Sequence, residues 1–278
     1  MPFLAAIPTG GLTGFRFLTR TYEAQLEQFS RSPDVERDVE DFIERAAAVT
    51  SAAELVQDTR LLRVALGAFG LEDEIGKRAF IRRILEEGAI DPDAFANRLA
   101  DPVWREFSAA LGFGDLGSAL TSETTRRELA ERFRERQFER AVGEVDVDLR
   151  LALNFQREIG SIAAAGGSDK AAWFRILGSP PLRQVIEGMF SLPSSFGQLD
   201  LDKQVETLEA RSRSMFGSAS PAVFRDAEVV EKAVSRFLLN AQLSASAQGI
   251  GPATTALTLL RSGGLGAGAR VSLIISGL

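Results

Sequence analysis

The sequence predicts an all-α, multihelical protein, and three observations carry that prediction. Apolar residues recur at steps of three and four along much of the chain, the spacing that lines up one face of a helix. A small polar residue followed by proline occurs at Ser32-Pro33, Asp91-Pro92, Asp101-Pro102, Ser179-Pro180 and Ser220-Pro221, so half of the ten prolines sit where a helix would begin. No Asn-Gly or Asp-Gly pair, the strongest short-range sign of a β-hairpin, occurs anywhere in the chain.

Taken in order, the opening residues MPFLAAIPTGG lack the basic stretch of a secretory signal and interrupt their apolar run with Pro2, Pro8 and Gly10-Gly11. A flexible segment over residues 1–12, without an export signal, is expected. Phe15, Leu18, Tyr22, Leu26 and Phe29 then mark an amphipathic helix. Ser32 and Pro33 start a second helix, with Val35, Val39, Phe42, Ile43 and Ala46 on one side. Ser51 and Glu54 have capping-box spacing, Asp58 caps LLRVALGAF, and Gly70 supplies a left-handed stop. Trp104, Phe107 and Leu111, like Trp173, Phe174 and Leu177, have helical spacing and read as core.

The stretch from Val145 to Leu153 alternates apolar and polar residues, the period of a half-buried strand. Val142, Val145, Leu149 and Leu153 also form a helical stripe, and the preceding Arg126–Arg140 run is strongly helix-forming, so helix is preferred.

An internal duplication would explain the length of 278 residues. Leu61, Val64, Gly67, Phe69 and Leu71 match Leu182, Val185, Gly188, Phe190 and Leu192 at an offset of 182 minus 61, or 121. Two related helical halves are therefore expected, over residues 13–118 and 119–248, meeting near the glycine- and serine-rich stretch Gly112 to Ser122. From Gly249 the composition turns to Gly, Ala, Ser, Thr and Leu, which reads as a loosely held tail over 249–278. Its apolar end, VSLIISGL, offers Val271, Leu273, Ile274, Ile275 and Leu278 as candidate partner-binding residues.

The composition, 45% hydrophobic and 25% charged, is that of an ordinary globular protein. Its absences exclude more than its contents. With no histidine and no cysteine there is no Ser/His/Asp triad, Cys/His dyad, disulfide or thiolate-held metal. No stretch is apolar enough for a membrane span, Phe237 to Leu260 being broken by Asn240, Gln242, Gln248 and Pro252.

Candidate motifs have plain structural explanations. GLEDEIGK, from Gly70 to Lys77, has one residue too many between its glycines and three acidic residues that would repel a phosphate. GLGAGA in the tail has neither the preceding strand nor the following chain of a dinucleotide site. Glu86, Glu87, Asp91 and Asp93 read as helix-end capping rather than a cation site. In RRELAERFRERQFER every glutamate has an arginine three or four residues away, so the run reads as a solvated helix face. A net charge of −6 gives no field for nucleic acid.

FRFLTRTYEAQ, SPDVERDVEDF, DTRLLRVALGAFGLEDEI, AFIRRILEEG and AFANRLAD together resemble an alphaproteobacterial family of unknown function whose genes are often found among flagellar genes. The likeness runs from about Phe15 to Leu239, with Leu61 to Leu71 its most specific block. It brings no catalytic motif, so no residue inherits a role. It implies a non-enzymatic helical interaction protein, without cofactor, serving the flagellum as assembly factor, export partner or minor structural component. Such a protein would have a flagellar protein partner and a cytoplasmic or flagellum-associated location. The alternative is a small-ligand receptor or carboxylate-based enzyme with a pocket between the helical halves. A polar cleft there, holding a carboxylate with a raised pKa, would favour this alternative; a closed apolar interior would end it.

Overall fold

In the computed structural model the helix starts follow largely from these signals. The structure describes residues 3–99 and 101–249, without the side chains of 246–249. Val271, Leu273, Ile274, Ile275 and Leu278 lie outside the described residues. Among the described residues there are α-helices and short 3-10 turns but no strand. The α-helices are α1 (Gly11–Ser30), α2 (Pro33–Arg45), α3 (Ala52–Gln57), α4 (Thr59–Gly67), α5 (Arg78–Glu87), α6 (Val103–Leu111), α7 (Glu123–Val145), α8 (Val147–Ala164), α9 (Asp169–Gly178), α10 (Pro180–Met189), α11 (Leu201–Phe216) and α12 (Ala227–Gly249).

Pro33 and Pro180 occupy first helical positions, where a missing N–H costs nothing. Ser51 Oγ accepts from the Glu54 N–H and Glu54 Oε2 accepts from the Ser51 N–H, both at 3.3 Å, completing the capping box. Asp58 accepts from the N–H groups of Arg60 and Leu61 at 3.0 and 3.2 Å. Asp101 accepts from Val103 N–H at 3.0 Å and opens α6. Two of the polar-proline pairs differ: Asp91-Pro92 leads into a turn and the 3-10 stretch Phe95–Arg98, and Ser220-Pro221 into the 3-10 stretch Pro221–Arg225. At the first, the Asn97 amide donates to the carbonyls of Ala89 and Asp91, and the Asp91 carbonyl also accepts from the Ala94 N–H at 2.9 Å, which closes a tight turn rather than an α-helical ladder.

The segment Val145 to Leu153 is helical, but broken. Asp146 is extended between α7 and α8, and its Oδ1 accepts from the N–H groups of Asp148 and Leu149 at 3.0 and 3.2 Å. Val142, Leu149 and Leu153 are buried as the stripe predicts, whereas Val145 points outward.

Two hydrophobic cores form, divided differently from the expected halves. The first gathers residues from Val39 to Phe133, including Phe42, Leu62, Ile84, Trp104 and Phe107. The second gathers residues from Phe138 to Leu238 together with α1 and the chain before it. Phe3, Tyr22 and Phe29 reach Phe138 at ring separations of 6.0, 5.3 and 5.9 Å, which ties the N-terminus to the far half of the sequence. Nor is the described part of residues 1–12 loose. Ala5 is buried, and the Gln25 side chain bonds both the N–H and the carbonyl of Ala6, at 2.8 and 3.1 Å. The change of core falls inside α7, between Phe133 and Phe138, not in the glycine-rich stretch at 112–122, where Leu120 belongs to the first core.

The two segments matched at offset 121 close alike. Gly70 is left-handed (φ +73°) and Leu71 N–H reaches the Leu66 carbonyl at 2.9 Å; Ser191 is left-handed (φ +52°) and Leu192 N–H reaches the Glu187 carbonyl at 2.9 Å. Phe133 lies against Gly67 and Phe237 against Gly188. The shared geometry is observed for this closure and its ring contact; descent of both halves from one duplicated unit is a separate expectation.

Candidate functional site

Because α7 serves both cores, the residues between Phe133 and Phe138, and those just beyond, stand where the cores meet. At 100° per residue, two phenylalanines five positions apart point about 140° away from one another, so one helix fills both interiors. The polar residues around that crossover bond across elements. Arg136 Nη2 pairs with Glu158 Oε1 at 2.8 Å. Arg157 grips Glu139 with two parallel bonds of 2.8 and 2.9 Å and reaches Glu158 Oε1 at 3.1 Å. Arg140 holds Glu72 and Asp73 at 2.9 and 3.2 Å, and Gln137 also donates to Glu72.

This corrects the reading of the Arg126–Arg140 run as a solvated face. Arg127–Glu123 and Arg134–Glu131 are surface pairs of the expected kind. Arg126, however, is buried and donates to the carbonyls of Ile43, Leu120 and Thr121, while Arg136, Glu139 and Arg140 bind partners in other elements.

Beside this network lies a cleft of about 520 Å³ between the two cores. The start of α6, with Val103 and Glu106, and Phe69 after α4 form the first-core wall. Arg132, Glu135 and Arg136 of α7 form the floor. Arg157, Glu158, Ser161 and Ile162 of α8, with Arg175 of α9, form the second-core wall. The volume suits a small molecule.

The electrostatics of the cleft are uneven. The Glu106 carboxylate opens onto it and has no hydrogen-bond or ion-pair partner among the described residues. The protein packed around Glu106 strips water from its carboxyl and, with the negative charge of Glu158, raises its pKa above the ordinary carboxylate value, against the pull of Arg136 and Arg132. Burial likewise raises Glu135, partly countered by Arg157. Burial and the neighbouring Arg157 guanidinium lower Arg136. Burial opposes the charge of Arg157 too, but the paired bonds to Glu139 overcome it and hold Arg157 above its usual value. Arg132 lies 5.8 Å over the Phe69 ring and pairs with no carboxylate among the described residues. Arg175 donates one Nη2 bond to the Gly166 carbonyl at 2.7 Å, while its Nη1 is buried without a hydrogen-bond partner among the described residues.

The cleft lies between the two cores and not between the two sequence halves. Glu86 and Glu87 pair with Arg82 and Arg83, and Asp91 accepts from the Asp93 N–H, all local structural roles. Among the described residues no group of three or more His, Cys, Asp or Glu is placed to hold a metal, and no helix is long and apolar enough to cross a membrane. Sequence reasoning missed Glu106, Arg132, Arg157, Glu158 and Arg175, which are scattered over four helices. The signal present was the separation of Phe133 and Phe138, incompatible with a single buried face.

A family model described as "Protein of unknown function (DUF1217)" matches residues 68–230. A crystal structure of a protein from Agrobacterium tumefaciens is 31% identical, with a TM-score of 0.71 and coverage of 87% of this chain and 99% of that one. No curated protein is similar to the chain.

Proposed function

We propose, from the premise that the chain belongs to the DUF1217 family of proteins of unknown function, that it acts by binding rather than by chemistry, with the cleft between its cores as the site. The observation that carries this reading is the cleft itself: about 520 Å³, walled by both cores, with Glu106 and Arg132 in no ion pair among the described residues. A polar cleft holding a carboxylate raised by burial favours the small-ligand alternative over an adaptor with a closed interior. The lack of histidine and cysteine supports a non-enzymatic role without a cofactor. The test is a thermal-shift screen of small-molecule classes on the wild type and on Ser161→Trp, which fills the cleft from an exposed position on α8. At least one class should stabilise the wild type and not the variant. Equal effects on both, or none, would remove the cleft as the site.

A second reading has the protein serve the flagellum as an assembly factor, export partner or minor structural component, located in the cytoplasm or, alternatively, associated with or exported to the flagellum. Its support is the family resemblance and a surface feature. Ile90 and Leu116 are 68% and 92% exposed on neighbouring loops, where Asp115 accepts from the N–H groups of Ala89 and Ile90. Crosslinked affinity purification of the full chain, of Leu116→Ser and of a form ending at Gln248 should capture flagellar proteins, with the last form testing Val271, Leu273, Ile274, Ile275 and Leu278. Normal motility of a deletion strain, with no flagellar protein captured, would sink it. Recovery in purified basal bodies would replace the cytoplasmic assignment.

A further inference from the structure

Leu116 is 92% exposed, yet the loop that carries it is pinned on both sides. Gly112, left-handed (φ +69°), ends α6, and its carbonyl accepts from the N–H groups of Asp115 and Gly117 at 3.1 and 3.0 Å. The Asp115 carboxylate accepts from the N–H groups of Ala89 and Ile90 at 2.9 and 3.1 Å, which ties the loop bearing Ile90 to the loop bearing Leu116. Ser118 Oγ donates to the Val49 carbonyl at 2.6 Å. Two large apolar side chains are therefore displayed side by side in one arrangement, with little ordering left for a partner to impose. Both border a pocket of about 510 Å³, whose lining also includes Ala109 of α6, Ala119, Arg105 and Asp115.

We propose that this face is an interface between two copies of the chain, related by a twofold axis, with Leu116 of each copy seated in the pocket of the other. It goes beyond the cleft and does not depend on it. A small molecule in the pocket would leave Leu116 and Ile90 facing water, whereas a protein surface covers them together with the pocket. The face is complementary to itself: an apolar projection stands next to an apolar hollow, and a guanidinium next to a carboxylate. A twofold axis exchanges the members of each pair, so projection meets hollow and Arg105 meets the other copy's Asp115. The patch is built from two short loops and one stretch of α6, small against the about 800 Å² per partner of a tight interface, so micromolar association is expected.

The test is sedimentation equilibrium of the full chain over a range of concentrations, in which the wild type should show monomer and dimer exchanging. Leu116→Ser removes the projection, and Ala109→Trp fills the hollow from an exposed position on α6. Each should weaken dimerisation about a hundredfold or more, because every dimer loses two seated leucines. An equimolar mixture of the two variants should regain dimer, about tenfold weaker than the wild type, since the intact projection of one copy enters the intact hollow of the other. Circular dichroism checks that both variants remain folded. A wild type monomeric up to about 1 mM, a dimer indifferent to both variants, or variants that fail to complement one another overturns the proposal. So does a monomer that dimerises only once Ile274 and Ile275 are changed to aspartate, which would make the tail the occupant of this face. A monomeric chain whose flagellar partners are lost in Leu116→Ser would give the face to those partners and likewise overturn it. None of these outcomes bears on the Ser161→Trp screen, so the dimer and the cleft stand or fall separately.

Discussion

A single methyl group decides how α4 and α10 meet the long helices they lean on. A Cβ on Gly67 would lie 2.6 Å from Phe133 Cδ2, and one on Gly188 would lie 2.7 Å from Phe237 Cδ2. Both rings are held in core, so neither has room to swing away. Alanine would gain about 1 kcal/mol of helix propensity over glycine, against an overpacking cost of about 1–3 kcal/mol. Gly67→Ala should therefore destabilise the protein by about 1 kcal/mol or more in urea unfolding. Adding Phe133→Leu should give a double variant less destabilised than the sum of the two singles. Glu106 makes the opposite kind of prediction. Its folded pKa is raised, so the native state holds the proton more tightly than the unfolded chain, and stability is lost as pH rises from the ordinary glutamate value through the raised one. Glu106→Gln should raise Tm at pH 7, by about 1–2 °C because water in the cleft screens the charge. The gain should vanish below about pH 4, where glutamate is protonated in both states. An unchanged Tm difference between pH 4 and pH 7 would contradict the assigned burial effect.

At the scale of elements, caps do the work of punctuation. Asp58 closes α3 and opens α4; burial works against its charge, yet the N–H groups of Leu61 and Arg60 and the Arg45 guanidinium keep its pKa below the ordinary value. Asp58→Ala should cost about 1 kcal/mol at pH 7, and the loss should shrink as pH falls through that lowered value. A loss that grows on acidification would reverse the assignment. Such caps were legible because each is local: Ser51 with Glu54, Asp58, and Pro33 act on residues within one turn. The break at Asp146 was not legible from apolar spacing, since Val142, Leu149 and Leu153 keep a helical stripe straight through it. The role of α7 was hidden for a different reason. Its arginines and glutamates sit three and four apart and look satisfied within the helix, whereas Arg136, Glu139 and Arg140 take partners on α8 and in the 3-10 turn at Glu72–Glu74. Periodicity tells which residues share a face, not which of two interiors that face enters. For the same reason the residues of the cleft could not be named from the sequence.

Across the whole molecule, the chain order and the packing order disagree, and this bears on how the protein unfolds. α1 crosses back to pack in the second core, so that core is made from two separate stretches of sequence, and the first core, Val39 to Phe133, ends inside α7, the helix that the second core shares. Removing the first core would leave Phe138, Ala141 and Val142 on a helix whose other half has lost its packing, and the network joining Arg136, Arg157, Glu139 and Glu158 would lose its fixed geometry. The cores should accordingly unfold together, as one cooperative unit. Each core happens to hold one of the two tryptophans, Trp104 in the first and Trp173 in the second. Trp104→Phe and Trp173→Phe variants therefore give fluorescence from one core at a time. The two urea curves should have the same midpoint once each is referred to the variant's own stability by far-ultraviolet circular dichroism. Adding Phe133→Ala, which removes a buried ring from the first core at a cost of about 3–5 kcal/mol, should shift the Trp173 signal as far as the Trp104 signal. Were Trp173 to keep its midpoint while Trp104 moved, the two cores would be independent units, and α7 would be a linker between them, not a shared wall. A ligand bound across the cleft should then stabilise one core without the other, whereas a shared α7 requires that it raise both midpoints equally.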